Sequence, residues 1–336
     1  MKYTDNSFSG KKILITGGAG FIGSNLAFYF QKNHPESKIV VLDRFRDEET
    51  FSNGNLKSFG HFKNLSGFKG EVISGDINDK SLLEELSSYK FDFIFHEAAI
   101  SDTTVKDQAI MIKTNVNAFK DLLDMAVSSH AKMIYASSGA TYGDAPSPQR
   151  VGRESPGNVY GFSKLMMDNL SYEYIKRYPH LTIVGLRYFN VYGRREYFKN
   201  KTASMVLQLG LQILSNKAPR LFYGSDKILR DFVYIEDVIQ ANIKALDAKK
   251  SGVYNVGTGI ARSFQDIADI LQKETGVDLG NDYFENPYDK KAYQTFTQAD
   301  IEDSIKYLDY KPNFSLEEGI KDYLPHIKEI YKNEVL

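Results

Sequence analysis

Hydrophobic positions in the first half of this chain fall in short, nearly unbroken runs, with spaced helical patterns between them. The runs lie at 12–16, 38–43, 71–74, 91–96, 132–137 and 182–188. Runs this short predict strands buried on both faces. Between them, apolar residues recur at helical spacing over about 23–33, 81–88, 115–129 and 160–178. Such alternation predicts an α/β fold: a doubly wound parallel sheet with helices on both faces. Past about residue 190 the segments shorten and mix. Helical spacing covers 204–214, 237–247, 263–275 and 315–332, and extended patterns cover 220–223, 231–234 and 253–256. This predicts a smaller C-terminal α/β lobe. Residues 1–190 would form the main domain and 191–336 mainly the second lobe, with interleaved boundaries.

Ligands of such sheets sit beyond the carboxyl ends of the strands, and the chemistry-bearing residues cluster there. The first run enters Gly17-Gly-Ala-Gly20-Phe-Ile-Gly23 and then a helical pattern. Gly17 suits a tight turn, Gly20 a close approach of backbone to a pyrophosphate, and Gly23 close packing of helix on strand. The second run ends in Asp43, where a ribose-binding carboxylate belongs. Strand, glycine turn, helix and acid together predict a Rossmann-type dinucleotide site.

Composition narrows the class further. The chain has 336 residues, 42% hydrophobic and 25% charged, with net charge −1. That balance argues against general attraction to nucleic acid or anionic membrane. With no cysteines, disulfides and thiolate metal sites are excluded, and a reducing, cytoplasmic setting is expected. No apolar run approaches the roughly 18 residues of a membrane span, and residues 1–12 lack a signal-peptide core. No His, Asp and Glu spacing suggests a metal site. His96 ends a strand and is expected near the cofactor in a structural role. His34, His61, His130, His180 and His326 read as surface.

A second constellation supplies acid/base chemistry. Tyr160 and Lys164 open a predicted helix at i and i+4, so they share a face. An ammonium beside a phenol favours phenolate and predicts a lowered Tyr160 pKa. Ser138, at the end of the fifth run, could bond the same substrate oxygen.

With these residues in hand, the chain resembles the extended short-chain dehydrogenases/reductases of the nucleotide-sugar epimerase and dehydratase group. The likeness spans nearly the whole length. It includes the glycine turn, Gly75-Asp-Ile77, His96-Glu-Ala-Ala99, Asn115, the Ser138/Tyr160/Lys164 set, Arg187-Tyr-Phe-Asn-Val-Tyr-Gly193 and Arg230-Asp-Phe-Val-Tyr234. Narrower motifs, above all Tyr293-Gln-Thr-Phe-Thr-Gln-Ala-Asp300, are similar to the branch that epimerises ADP-linked heptoses.

The resemblance implies an isomerase that interconverts ADP-D-glycero- and ADP-L-glycero-β-D-manno-heptose through a 6-keto intermediate, in lipopolysaccharide inner-core precursor synthesis. It implies NADP, with NAD possible, held tightly at one per subunit of a homo-oligomer. Phe21 and Ile22 would lie in the phosphate turn, and Asp43 and Arg44 at the adenosine ribose. Asp76 and Ile77 would meet the adenine. Glu97, Ala98, Ala99, Ser101, Asn115 and Val191 would line the cofactor channel. Tyr160 and Lys199 would be paired acid/base groups, Lys199 also touching cofactor, and Lys164 would bind the nicotinamide ribose. Ser138, Asn190, Lys201, Gln208, Phe222, Tyr223, Gly224, Ser225, Arg230 and Tyr293 would hold the sugar nucleotide.

The sequence departs from that pattern in places. Arg194 stands where the family usually has proline, and Lys201 beside Lys199 leaves the second base open between them. Asp43 favours a free 2′-hydroxyl, whereas Arg44 and Arg46 could neutralise a 2′-phosphate. The aromatic-rich stretch 51–68 reads either as an insertion over the cofactor or as a surface loop. A 4-epimerase or a net reductase are the alternatives within the class. Gly139-Ala-Thr after Ser138 disfavours a dehydratase, which carries an Asp-Glu pair there. A non-catalytic cofactor binder would lack Tyr160 or Lys164.

Overall fold

The computed structural model describes residues 3–4, 6–286 and 295–336. In chain order its elements are β1 (Lys12–Thr16), α1 (Phe21–Asn33), β2 (Lys38–Asp43), β3 (Glu71–Ser74), α2 (Lys80–Ser87), β4 (Phe93–His96), α3 (Gln108–Ile112), α4 (Ala118–Ser129), β5 (Lys132–Ser138), α5 (Val159–Arg177) and β6 (Ile183–Tyr188). The later chain adds β7 (Asn190–Tyr192), α6 (Met205–Leu214), β8 (Arg220–Phe222), β9 (Leu229–Tyr234), α7 (Ile235–Ala245), β10 (Gly252–Val256), β11 (Ala261–Ser263), α8 (Phe264–Thr275), β12 (Asp282–Phe284), α9 (Glu302–Leu308) and α10 (Leu316–Ile330).

Seven strands form one parallel sheet in the order β10-β6-β5-β4-β1-β2-β3. Side chains alternate across it, as the two-residue period of a strand requires. Ile13 and Ile15 of β1 face one core, and Leu14 faces the other. The same alternation puts Ile39 and Val41 of β2 on the first side and Val40 and Leu42 on the second. The first core takes Leu26, Ala27 and Phe30 from α1 and runs on into the smaller lobe through Leu209, Leu271 and Ile327. The second takes Phe119, Leu122 and Leu123 from α4. Helix starts in the smaller lobe are marked locally. Ser263 with Asp266 and Ser315 with Glu318 form capping boxes, each cap contributing about 1 kcal/mol.

Two differences from the sequence reading have physical causes. The helix expected from 115 begins at Gln108 instead, capped by the Asp107 carboxylate on the Ile110 amide. A one-turn π segment, Lys113–Asn117, joins α3 to α4. Its extra residue shifts the apolar phase and hides α3 from a 3.6-residue pattern. The other concerns β10. Although it lies late in the chain, it pairs with β6 and completes the main sheet.

Candidate active site

The strand order reverses between β1 and β4, the place where an open α/β sheet offers a crevice. A long pocket opens there. Its floor is the glycine turn, with Gly17, Gly20, Phe21, Ile22 and Gly23 all on the wall. Gly17 has φ +69°, and a Cβ there would lie 2.6 Å from the Ala98 amide nitrogen. A Cβ on Gly23 would lie 2.3 Å from the Gly17 carbonyl oxygen. Only glycine fits either position. α1 starts at this turn with no side-chain cap, which leaves its first amides for an anion. The cradle therefore fits a dinucleotide pyrophosphate.

Beyond the turn, Asp43, Arg44, Asp76 and Ile77 line one end of the pocket. The Asp43 carboxylate accepts from the Ala19 amide at 2.9 Å and the Phe45 amide at 2.8 Å. Burial nonetheless pushes its pKa up. Arg44 is tied to Asp47 at 3.0 Å and Glu49 at 3.1 Å, with Asp76 4.0 Å away. The stretch that reads two ways in the sequence folds over this end, contributing Phe51 and residues 56–60 to the wall. With it comes Lys57, 3.0 Å from Glu49, which motif spacing does not reveal because the loop has no period. The loop is clasped from outside. His61 stacks on Phe198 with ring centroids 3.7 Å apart, and the Arg46 guanidinium donates to the Phe198 carbonyl.

The opposite end gathers Ser138, Tyr160, Lys164 and Lys199, with Glu97, Ala98, Ala99, Ser101 and Val191 nearby on the wall. β5 delivers Ser138 at its carboxyl end, and the first turns of α5 deliver Tyr160 and Lys164. Asn158 caps α5 on the Gly161 amide, so both side chains are set by a fixed helix start. Lys164 donates to the Ala136 carbonyl at 2.7 Å, and its nitrogen lies 5.9 Å from the Tyr160 ring centroid. Burial lowers the Lys164 pKa to about 8, opposed by Glu97 and Asp168.

Tyr160 differs from expectation here. Burial pushes its pKa above the ordinary tyrosine value, and Glu97 adds to that push, while the bond with Ser138 pulls it down. Desolvation of a phenolate outweighs its neighbours.

Lys199 arrives from a 3-10 segment, Tyr197–Thr202. Its nitrogen sits 5.5 Å from the Phe21 ring centroid. Burial lowers its pKa and Glu196 pushes back. Glu196 is itself buried and accepts from the Gly193 amide at 3.1 Å and the Ser204 amide at 2.7 Å, which shapes the loop. Lys201 is exposed and away from the pocket wall. Arg194, in the family's proline position, bridges Asn25 of α1 and Glu236 of α7.

Other expected residues lie elsewhere. Asn115 is fully buried off the wall. Its amide binds the Ile100 backbone on both sides and Ser163 of α5 at 3.0 Å, so it braces the wall from behind. Asn190 is exposed at the start of β7. Gln208 donates to the Ala203 carbonyl at 2.6 Å. Tyr223 is 61% exposed and stacks on Tyr283. Phe222 ends β8, Gly224 follows with φ +77°, and Ser225 and Arg230 are buried. None of these is on the wall of this pocket. Tyr293 lies outside the described residues. His96 is buried and bonds Thr16 at 2.7 Å; burial drops its pKa to about 3, a structural role. Among the described residues no group of acidic, His or Cys side chains suits a metal, and no helix is long and apolar enough to cross a membrane.

Beneath the site lies a network that sequence reasoning did not foresee. Asp168, one turn beyond Lys164 on α5, accepts from Tyr135, Ser137 and Arg187, at 2.9, 2.9 and 3.0 Å. Arg187 also pairs with Glu154 and lies over the Tyr142 ring. The available signal was a charged residue, Arg187, inside an otherwise apolar strand.

A glycine cradle at the switch point and a Ser-Tyr-Lys set beyond β5 define an enzyme of nicotinamide dinucleotide chemistry. The chain belongs to the NAD dependent epimerase/dehydratase family, whose model it matches over residues 13–257. It is 54% identical to the ADP-L-glycero-D-manno-heptose-6-epimerase of Helicobacter pylori, over 98% of this chain and 99% of that one, with TM-score 0.89. UDP-glucose 4-epimerase of Thermotoga maritima is 27% identical over 95% of this chain and 99% of its own, TM-score 0.82. UDP-glucuronic acid 4-epimerase of Bacillus cereus, solved with UDP-glucuronic acid and NAD, is 29% identical over 95% of this chain and 100% of its own, TM-score 0.79.

Proposed function

We propose that the protein is an ADP-glycero-manno-heptose 6-epimerase that works with bound NADP. The carrying observation is the convergence of Tyr160 and Lys199, from separate elements, on one cofactor pocket that also holds Ser138 and Lys164. The sugar is assigned from the likeness to the Helicobacter pylori enzyme.

When bound, the nicotinamide supplies the hydride acceptor and donor and, oxidised, a positive charge beside Tyr160. Tyr160 takes or returns the proton of the C6″ hydroxyl on one face of the sugar, with Ser138 holding the same oxygen. Lys199, whose pKa burial lowers against the pull of Glu196, serves the hydroxyl of the other epimer. Two groups are needed because inversion turns the hydroxyl away from the first. Lys164 orients the nicotinamide ribose. Arg230 and the segment 222–225 are proposed to meet the nucleotide diphosphate and its base. Lys199→Met is expected to lower kcat by about 10²-fold or more, and Lys201→Met to leave it near wild type. A large loss in Lys201→Met with Lys199→Met near wild type in steady-state kinetics would move the second base to Lys201, and equal losses would remove the assignment to Lys199.

The choice of NADP rests on Arg44 and Lys57 standing together at the Asp43 end. Their present partners, Asp47 and Glu49, are half-exposed or exposed carboxylates that a 2′-phosphate can replace. Arg44→Ala with Lys57→Ala is expected to weaken NADP at least tenfold, about 1.4 kcal/mol, and to leave NAD affinity unchanged. Titration calorimetry in which both cofactors weaken alike would remove the assignment.

The reading as a whole is tested by incubating the purified protein with ADP-D-glycero-β-D-manno-heptose and resolving the C6″ epimers by NMR. Conversion with no net NAD(P)H change is expected. No conversion with either cofactor supplied, but turnover of a UDP-hexose, would make it a 4-epimerase.

A further inference from the structure

Lys199 sits on a segment with little hold of its own. Tyr197–Thr202 is a 3-10 piece, half-buried or exposed throughout, and Asn200 breaks its turn with φ +52°. Hydrogen bonds within such short pieces are poorly aligned. The residue before the lysine is instead held from another part of the chain. His61 stacks flat on the Phe198 ring, with 3.7 Å between centroids and 5° between planes. Arg46 donates to the Phe198 carbonyl, which belongs to the peptide joining Phe198 to Lys199. Arg46 and His61 come from the chain that passes over the cofactor pocket between β2 and β3, and neither is on the pocket wall. Both are anchored. The Arg46 amide donates to the Gly60 carbonyl at 2.7 Å, which brings the two residues side by side. The His61 amide donates to the Ala19 carbonyl at 3.0 Å, and Asn64 donates to the same oxygen at 3.0 Å. Ala19 lies in the glycine turn, two residues before Phe21, whose ring faces the Lys199 ammonium. The contacts close a circuit from the glycine turn through His61, Phe198 and Lys199 back to the turn.

We propose that Arg46 and His61 are positioning residues that clasp Phe198 and thereby set Lys199 at the catalytic end of the pocket. The inference rests on the epimerase reading, which makes Lys199 the second acid/base group, and adds the device that places it. A lysine amine hangs on a long flexible stem, so its reach is decided by where the backbone puts the stem. The stack fixes the side chain of the preceding residue, and the guanidinium fixes the plane of the peptide that leads into Lys199. Proton transfer needs hydrogen-bond distance, and a displacement of about 1 Å can cost about a hundredfold in rate. Arg46, which the sequence offered as a partner for a 2′-phosphate, is committed here to the Phe198 carbonyl.

The first readout does not need turnover. Full-length protein, as purified, carries lysine labelled with ¹³C at Cε, and the Lys199 resonance is identified as the one missing from Lys199→Met. In wild type the ring current of Phe21 should set it apart from the solvated lysines. His61→Ala should move it toward them, and His61→Phe, which keeps a flat ring against Phe198, should bring it back. The second readout is steady-state kinetics with ADP-heptose. His61→Ala should lower kcat about 10- to 100-fold with KM little changed, and His61→Phe should recover most of that loss. Arg46→Met, which removes the donor to the 198–199 peptide and leaves the ring pair, should lower kcat as well. On a Lys199→Met background His61→Ala should cost nothing further, because the two act through one group. A wild-type kcat in His61→Ala or in Arg46→Met overturns the proposal. So does an undiminished His61→Ala loss on the Lys199→Met background, or a Lys199 resonance that His61→Ala leaves in place. Failure of His61→Phe to restore either readout removes the stack from it. Absence of turnover in wild type would sink the epimerase reading alone, since the resonance still reports where Lys199 stands.

Discussion

Tyr160→Phe is expected to cut heptose epimerisation by about 10²- to 10⁴-fold while the protein still binds its dinucleotide. The substitution removes one oxygen from a side chain that is otherwise packed with Phe51, Ile100, Val105 and Met111, so the wall keeps its shape. Lost with the oxygen are the proton carrier and the bond to Ser138. The cradle at Gly17, Gly20 and Gly23 is untouched, and so is the Lys164 bond to the Ala136 carbonyl. Cofactor affinity measured by fluorescence should therefore match wild type as epimer conversion collapses. Full turnover in this variant would end the assignment of Tyr160, and lost cofactor affinity would make it a binding residue.

Arg187→Leu should destabilise the fold by about 3–5 kcal/mol, the usual cost of breaking a buried ion pair from one side. Arg187 is 1% exposed and Asp168 is fully buried. Without the guanidinium, Asp168 keeps only the Tyr135 and Ser137 hydroxyls against the cost of burying its charge. Adding Asp168→Leu should recover part of the loss, because no carboxylate is then stranded at 168. Urea unfolding of both variants checks this, and an Arg187→Leu midpoint equal to wild type would show the network to be dispensable. The network joins α5 to β5 and β6 directly under the acid/base pair, so its loss should reach the active site as well as the core.

The parallel sheet was legible because five of its first six strands, all but the largely exposed edge strand β3, bury both faces and so read as apolar runs. The glycine turn was equally legible, since glycine is demanded by backbone geometry at Gly17 and by close packing at Gly23. Ser138, Tyr160 and Lys164 were found because strand end and helix start are local features. Long-range arrivals were harder to see. Lys57 reaches the pocket through an aperiodic loop. Resemblance put Glu97 on the channel wall, but the bond it accepts from Tyr188, itself held by Asn242, comes from distant segments. Asn115 was placed by resemblance on the cofactor channel and braces it from behind, because the π segment rotates it inward. The raised Tyr160 pKa was not legible either: i and i+4 spacing announces the lysine but not the desolvation.

The place of β10 carries a consequence for biosynthesis. β6 runs Ile183-Val-Gly-Leu-Arg-Tyr188, every residue of it buried, and among the described residues its outer edge is paired by 252–256. On the ribosome, the N-terminal part is translated long before that edge can be sealed. The nascent chain therefore carries an open apolar strand edge, the kind that recruits foreign strands, until residue 256 clears the exit tunnel. A gene truncated anywhere between 190 and 250 would encode a polypeptide with the nucleotide cradle intact and a permanently adhesive border.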